Sequence, residues 1–290
     1  MSDIKLSIIT ATYNAAEHLP RLIDSLEAQI TRDFEWVVID GASTDGTQKL
    51  LENVREIRCT WISEPDSGIY DAFNKGVQRA KGEWLLFLGA DDKLADENAL
   101  KRSIDWLDTL PPDVLWCYGE LVYHGPTSDE RWGAPWEKIK SKFCNAANMV
   151  GVPHPATFHR KALFKAIGMF DASYRIAGDY DLLLRAVISG YEPTYASITV
   201  SEMSCVGVSS RPENSLLCSR ECCIAWRNAT QRNAVPIPLA WGYLKSLIKV
   251  YFHFVFGERA LGYFRDFYRI MTGRKPMWSL SLRNRERYIR

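Results

Sequence analysis

Two adjacent carboxylates, Asp91 and Asp92, end the apolar run Phe87-Leu88-Gly89-Ala90. Neighbouring carboxylates repel each other unless a positive charge lies between or beside them. A hard divalent cation, Mg²⁺ or Mn²⁺, carrying a phosphorylated substrate would meet that need. A plain loop with a helix N-cap accounts for the same residues, so both readings stand at this point. Asp40 closes a second apolar run and is followed by the tight turn Gly41 to Thr47. That turn reads either as a well-capped strand-to-helix connection or as a carboxylate and backbone cradle for a base or ribose. A polar loop, Glu64-Pro65-Asp66-Ser67-Gly68, places Asp66 at the start of a helix that carries Asp71, Asn74 and Lys75. Neither glycine-bearing turn fits the dinucleotide or P-loop spacing, which weakens a dehydrogenase or an NTPase.

These residues need a scaffold that gathers strand ends. Leu6 to Thr10, Trp36 to Ile39, Thr60 to Ser63 and Trp84 to Leu88 read as short buried strands. Between them, Leu19 to Ile30 carries apolar residues at helical spacing, and Thr47 to Val54 and Ile69 to Arg79 read as further helices. This alternation predicts right-handed βαβ units and a parallel sheet, with ligands at the C-terminal strand ends. Further on, Leu115 to Tyr123 suits an antiparallel strand, and Ala162 to Ile167 and Tyr180 to Ser189 suit helices. Past Pro236 the texture turns aromatic, basic and helical, over Leu239 to Phe256 and Leu261 to Met271. The expected division is a domain over 1–236 and an extension over 237–290.

At 290 residues the chain can bury a sizeable core. Its net charge of +1 hides an asymmetry: residues 237–290 hold 11 Lys and Arg against 3 Asp and Glu (+8), leaving 25 against 32 (−7) elsewhere. Such a tail suits an anionic surface. The seven cysteines form no CxxC pair, which argues for reduced thiols and against zinc. The N-terminus lacks the pattern of a signal peptide, and no run of about eighteen apolar residues suggests a membrane span.

Ser7-Ile8-Ile9-Thr10-Ala11-Thr12-Tyr13-Asn14, Asp40 to Thr47, Ser63 to Gly76 and Gly89-Ala90-Asp91-Asp92, in that order, resemble the motifs of family 2 glycosyltransferases. The resemblance covers about residues 4 to 210. It implies the α/β GT-A fold, a mostly parallel central sheet flanked by helices that binds a nucleotide-diphosphate sugar, UDP- or GDP-linked, at its strand ends. By that resemblance Thr10, Thr12 and Asn14 line the nucleotide pocket, Asp40 contacts the base and Asp66 helps hold the nucleotide. Asp91 would contact the ribose or sugar, and Asp92 would ligate the Mn²⁺ or Mg²⁺ that bridges the diphosphate. The family motif is often written DxD; here Ala90 takes its first place.

Inverting sugar transfer needs a general base for the acceptor hydroxyl. Arg175 to Arg185 resembles the family's acidic segment at a helix start, where relatives often carry Glu-Asp. This chain has Gly178-Asp179, so Asp179 is the match, and a capping role is compatible with catalysis. His154, between two prolines, falls in a segment that helps shape the acceptor pocket in relatives. Ser209 and Arg211 lie in a loop that could close over the diphosphate.

Lys245 and Lys249, four apart with His253 extending their face, suit a helix lying in a bilayer interface. Together with Arg259, Arg265, Arg269 and Arg274 they could meet anionic headgroups. An amphipathic pair packed on the catalytic domain or on a second subunit is the competing account of the tail. The expectation is an inverting, metal-dependent transferase acting on a glycan or polyprenyl-diphosphate-linked acceptor in surface polysaccharide synthesis. It would be cytoplasmic, peripheral on the inner face of the cell membrane, and no nucleic-acid partner is expected. The rivals are a nucleotidyltransferase, which should carry a glycine-rich basic loop after the first strand, and a non-catalytic nucleotide-sugar scaffold.

Overall fold

The computed structural model describes residues 4–125, 129–146, 152–204, 212–271, 273 and 276. Four parallel strands form one half of the sheet: β1 (Leu6–Thr12), β2 (Phe34–Asp40), β3 (Cys59–Ser63) and β4 (Trp84–Phe87). Helices α1 (Leu19–Glu27), α2 (Thr47–Glu52) and α3 (Ile69–Arg79) make the crossovers. Strands β2 and β4 are buried along their whole length, the signature of a sheet covered on both faces. The other half is mixed. It comprises β5 (Lys93–Leu94), β6 (Trp116–His124), β7 (Asp129–Trp132), β8 (Thr157–Arg160) and β9 (Thr194–Ser204). The strand order is β3-β2-β1-β4-β8-β6-β9-β5, with β7 on β6.

Strand alternation sorts the core into two layers. Ile8, Trp36, Val38, Trp84 and Leu86 face α1 (Leu19, Leu22, Leu26) and α4 (Ala99–Thr109), while Ile9, Val37, Ile39, Leu85 and Phe87 face the other way. That second layer is closed by α3, α5 (Trp136–Ala146), α6 (Lys161–Ile167), α7 (Gly178–Ile188) and α8 (Pro212–Thr230). The final helical run, α9 (Ile237–Met271), breaks at Gly257, whose φ of 75° is non-helical. Its two arms fold back on each other: the Phe252 ring stacks on Phe264 at 4.9 Å, and Lys245 Nζ donates to the Tyr268 hydroxyl at 2.9 Å.

The expected parallel βαβ half is present, and the two tail helices fall on the arms of α9. Several elements went unassigned in the sequence, among them β8, α8 and α4. Strand β8 is four residues long and sits between β4 and β6, so neither face shows alternation. Helix α8 has weak amphipathic contrast because it is covered by both α7 and α9. Helix α4 opens without a side-chain cap.

Candidate active site

The parallel register sets Thr12 beside Asp40 and Asp40 beside Ser63, at the C-terminal ends of three adjacent strands. Asp40 is fully buried. Its Oδ1 accepts from the Thr12 hydroxyl (2.9 Å) and the Ser43 hydroxyl, and its Oδ2 from Ser43 N (3.0 Å) and the Ser63 hydroxyl (2.6 Å). An ionised carboxylate has about four lone-pair positions, and the protein fills them all. A base contacting Asp40 must therefore displace one of these donors.

Thr10 is enclosed beneath this row, its hydroxyl accepting from Trp36 Nε1 at 3.0 Å. Asn14 joins the first two strand-end loops. Its amide nitrogen donates to the Ser43 hydroxyl (2.8 Å), its side-chain oxygen accepts from Thr44 N (3.0 Å), and its φ is 48°. Asparagine tolerates that left-handed conformation better than most residues. Asp45 continues the seam by accepting from Ala16 N at 2.9 Å, and its carboxyl is held below the usual range by the Thr47 hydroxyl first and the backbone amides after it.

Asp66 closes over the second loop. A Cβ on Gly41 would lie 2.7 Å from Asp66 Oδ2 and 3.4 Å from the Tyr13 ring, so glycine is what lets the carboxylate and the ring approach this backbone. Asp66 Oδ1 accepts from Gly68 N at 3.0 Å. The Tyr13 ring beside it is 70% exposed. An exposed aromatic plate next to a carboxylate suits a stacked base. Tyr13 received no role from the sequence, because only its exposure distinguishes it from a core aromatic.

Asp91 and Asp92 converge. A Cβ on Gly89 would stand 2.8 Å from Asp91 Oδ1 and 3.1 Å from Asp92 Oδ2. Asp92 is 3% exposed and accepts from Gly89 N at 2.7 Å. Burial, and secondarily the charge of Asp91, push its carboxyl up to about 8. Asp91 is part-exposed and has no hydrogen-bond partner among the described residues. No group of three His, Cys, Asp or Glu side chains gathers to hold an ion among the described residues. Two convergent carboxylates, one enclosed, fit a small hard cation that takes its remaining ligands from water and substrate phosphate. The donor set is therefore compatible with Mg²⁺ or Mn²⁺ arriving with a diphosphate.

Asp179 stands in the first turn of α7. Its Oδ1 accepts from Tyr180 N at 2.8 Å and lies 3.4 Å from the Tyr70 hydroxyl, while Oδ2 has no partner among the described residues. Asp181, two residues on, is 3% exposed and spent on Arg185 Nε at 2.8 Å. Gly178 has a structural cause: a Cβ there would sit 2.8 Å from carbons of the Tyr70 ring. Tyr70 thus fills the space that a side chain at position 178 would need.

The His154 ring stacks on Phe87 of β4 at 5.4 Å, and its Nε2 is enclosed without a partner. Burial depresses its basicity, opposed by the nearby charge of Asp179. A neutral His154 therefore lies in the wall between β4, which leads to Asp91 and Asp92, and the Asp179 turn. Ser209 and Arg211 lie outside the described residues.

Residues 7–165 match the family described as Glycosyl transferase family 2, more than half of the chain. The chain belongs to that family and is a glycosyltransferase of GT-A fold. It is similar to a "PGL/p-HBAD biosynthesis glycosyltransferase" of Mycobacterium bovis, 37% identical over 189 residues, covering 64% of this chain and 70% of that one. An uncharacterised glycosyltransferase of Haemophilus influenzae is 29% identical over 202 residues, 68% of this chain and 66% of its own. Among solved structures, the mannosyltransferase PcManGT of Pyrobaculum calidifontis, in complex with GDP-Man and Mn2+, gives a TM-score of 0.60 at 19% identity, over 89% of this chain and 72% of that chain. Residues 1-349 of S. aureus TarS, in complex with UDP-GlcNAc, give 0.56 at 20% identity, over 86% and 73%.

Proposed function

We propose that this chain transfers a sugar, with inversion, from a UDP- or GDP-linked donor to a lipid-linked glycan acceptor. The observation that carries the reading is the division of labour among its carboxylates. Asp40 is saturated by the strand-end loops, Asp92 is enclosed against Asp91, and Asp179 keeps one oxygen without a partner among the described residues at a helix N-terminus.

The donor's base would lie against Tyr13, Gly41 and Asp66, with Thr12, Asp40 and Asn14 stiffening the pocket and Thr10 supporting it from below. The acidic pair would face the diphosphate, Asp92 toward the cation and Asp91 toward the ribose or sugar. A bound Mg²⁺ or Mn²⁺ would neutralise charge on the leaving nucleoside diphosphate. Asp179 Oδ2 would take the proton of the acceptor hydroxyl as that oxygen attacks the anomeric carbon. His154 would help shape the wall of the acceptor pocket. A nucleotidyltransferase finds no support in the loop after β1, and the intact Asp92 and Asp179 speak against a scaffold without activity.

Residues 1–236 are proposed as the catalytic domain and 237–290 as a membrane-docking extension. Exposed Trp241, Tyr251, Phe254, Tyr263 and Phe267 on the two arms of α9 support that assignment. No helix among the described residues is long and apolar enough to cross a membrane, so the hairpin would lie in the interface, on the inner face of the cell membrane.

A thermal-shift panel of UDP- and GDP-sugars with Mn²⁺ identifies the donor, because a ligand bound only to the folded state raises its melting temperature. Asp179→Asn should then bind the selected donor like wild type and lose about 100-fold or more in kcat, within the range of general-base contributions. Wild-type turnover by that variant would move the base elsewhere.

A further inference from the structure

The turn that delivers Asp179 is gripped by two side chains that have no role in the scheme above. From α8, Glu221 reaches under it: Oε1 accepts from Arg175 N, and Oε2 from both Ile176 N and Ala177 N, all at 2.9 Å. Glu221 is 6% exposed. From α3, the Tyr70 hydroxyl donates to the Ile176 carbonyl at 2.5 Å while its ring lies against Gly178. Burial, and then the charge of Asp179, raise the Tyr70 phenol well above its ordinary value, so it remains a donor throughout the working pH range.

Three consecutive backbone amides on one carboxylate exceed what a helix N-terminus needs. A single side-chain oxygen normally satisfies one or two of its open donors. Charge-assisted bonds to successive residues fix the φ and ψ of that turn, and through them the direction in which Asp179 leaves α7. The Tyr70 bond fixes the opposite edge of the same peptide. Neither Glu221 nor Tyr70 hydrogen-bonds to Thr12, Asp40, Asn14 or Asp66 among the described residues.

We infer that Glu221 and Tyr70 are positioning residues that aim the Asp179 carboxylate at the acceptor hydroxyl. The inference rests on Asp179 being the base. A misplacement of about 1 Å can cost on the order of 100-fold in rate, so the clamp acts on kcat and leaves donor binding alone. Glu221 also ties the base to the tail. One turn of α8 carries Glu221 and Ser219, and the Ser219 hydroxyl bonds that of Ser246 on α9 at 2.7 Å.

The test compares Glu221→Gln, Tyr70→Phe, Asp179→Asn and the double variant Glu221→Gln/Asp179→Asn with wild type. Four readouts are taken: hydrogen exchange of the 175–177 amides, calorimetric binding of UDP and GDP with Mn²⁺, melting temperature, and kcat against KM for the donor selected by the sugar panel. Glu221→Gln should speed exchange at 175–177 and lower kcat about 10- to 100-fold with nucleotide affinity unchanged. Tyr70→Phe, which keeps the ring, should lower kcat less, by about 3- to 10-fold, and it carries the test if the Glu221 variant does not fold. In the Asp179→Asn background Glu221→Gln should add nothing, because a clamp on an absent base has no further effect.

Wild-type kcat for both clamp variants, with Asp179→Asn inactive, overturns the clamp and leaves the base in place. Loss of nucleotide affinity and melting temperature in step with kcat also overturns it, by making Glu221 a general fold contact. An active Asp179→Asn overturns the base assignment itself, and the clamp with it.

Discussion

Asp40, Asp92, Asp179 and Asp181 are identical in chemistry and differ in surroundings. Asp181 has an arginine, Asp40 has four hydroxyl and amide donors, Asp179 keeps an open oxygen, and Asp92 has one amide donor and a like-charged neighbour. Burial pushes the Asp92 carboxyl up to about 8. Its folded pKa lies above that of the unfolded chain, so the metal-free fold holds an extra proton between about pH 4 and 8. The stabilisation from that proton is complete below the unfolded value and is lost as pH rises to about 8. Denaturant titrations without metal should therefore show Asp92→Asn gaining stability over wild type as pH rises from 5 to about 8, by on the order of 1 kcal/mol or more. Equal pH slopes for the two proteins would mean that Asp92 is ionised in the fold. A cation must compete with the same proton, so Mn²⁺-dependent nucleotide binding should tighten over that interval.

At the scale of elements, the site depends on backbones that approach more closely than a side chain would allow. Gly178 lies against the Tyr70 ring, so α3 and α7 meet without a Cβ between them. Gly178→Ala should push α7 off Tyr70 and destabilise the fold by about 1–3 kcal/mol, the usual cost of overpacking, with a fall in kcat beyond what stability explains. Melting and turnover measurements check both parts, and an unchanged melting temperature would show that the helices have room to separate. Much of this level was legible beforehand. The four parallel strands carried short, mostly apolar runs, and the loops after β1 to β4 carried the polar clusters, so the crevice could be placed. Strand β8 and helix α8 could not, because their burial comes from neighbours on several sides rather than from one periodic face. Glu221 was lost with α8: a single acidic residue in a helix has no sequence signature that separates a solvated charge from a buried anchor.

For the molecule as a whole, an acidic body is joined to a basic aromatic tail, and the fold decides how much of that tail is available. Leu239 and Leu261 are buried, and Arg269 pairs with Glu130 of β7, so α9 is seated on the catalytic domain. Lys245 is engaged with the Trp241 and Tyr268 rings at 5.7 and 4.9 Å, so not every tail cation faces outward. Phe254 and Phe267 are 75% and 63% exposed. Phe254→Ser combined with Phe267→Ser should weaken binding to phosphatidylglycerol vesicles by about tenfold or more, as removing two interfacial aromatics implies. Unchanged vesicle binding, with a smaller oligomer in solution, would assign the hairpin to a second copy of the chain.

The sequence by itself determined which residues could be chemical and what scaffold would gather them. Strand periodicity and turn chemistry are local properties, and Asp40, Asp66, Asp91, Asp92 and Asp179 each fall at the end or start of a local element. Tertiary structure decided what each of them does. A carboxylate's role depends on the donors, charges and solvent around it, and those come from residues far away in the chain: Ser63 for Asp40, Gly41 for Asp66, Tyr70 and Glu221 for the turn bearing Asp179. Electrostatic and hydrogen-bond energies act over a few ångströms in space and are blind to separation in sequence.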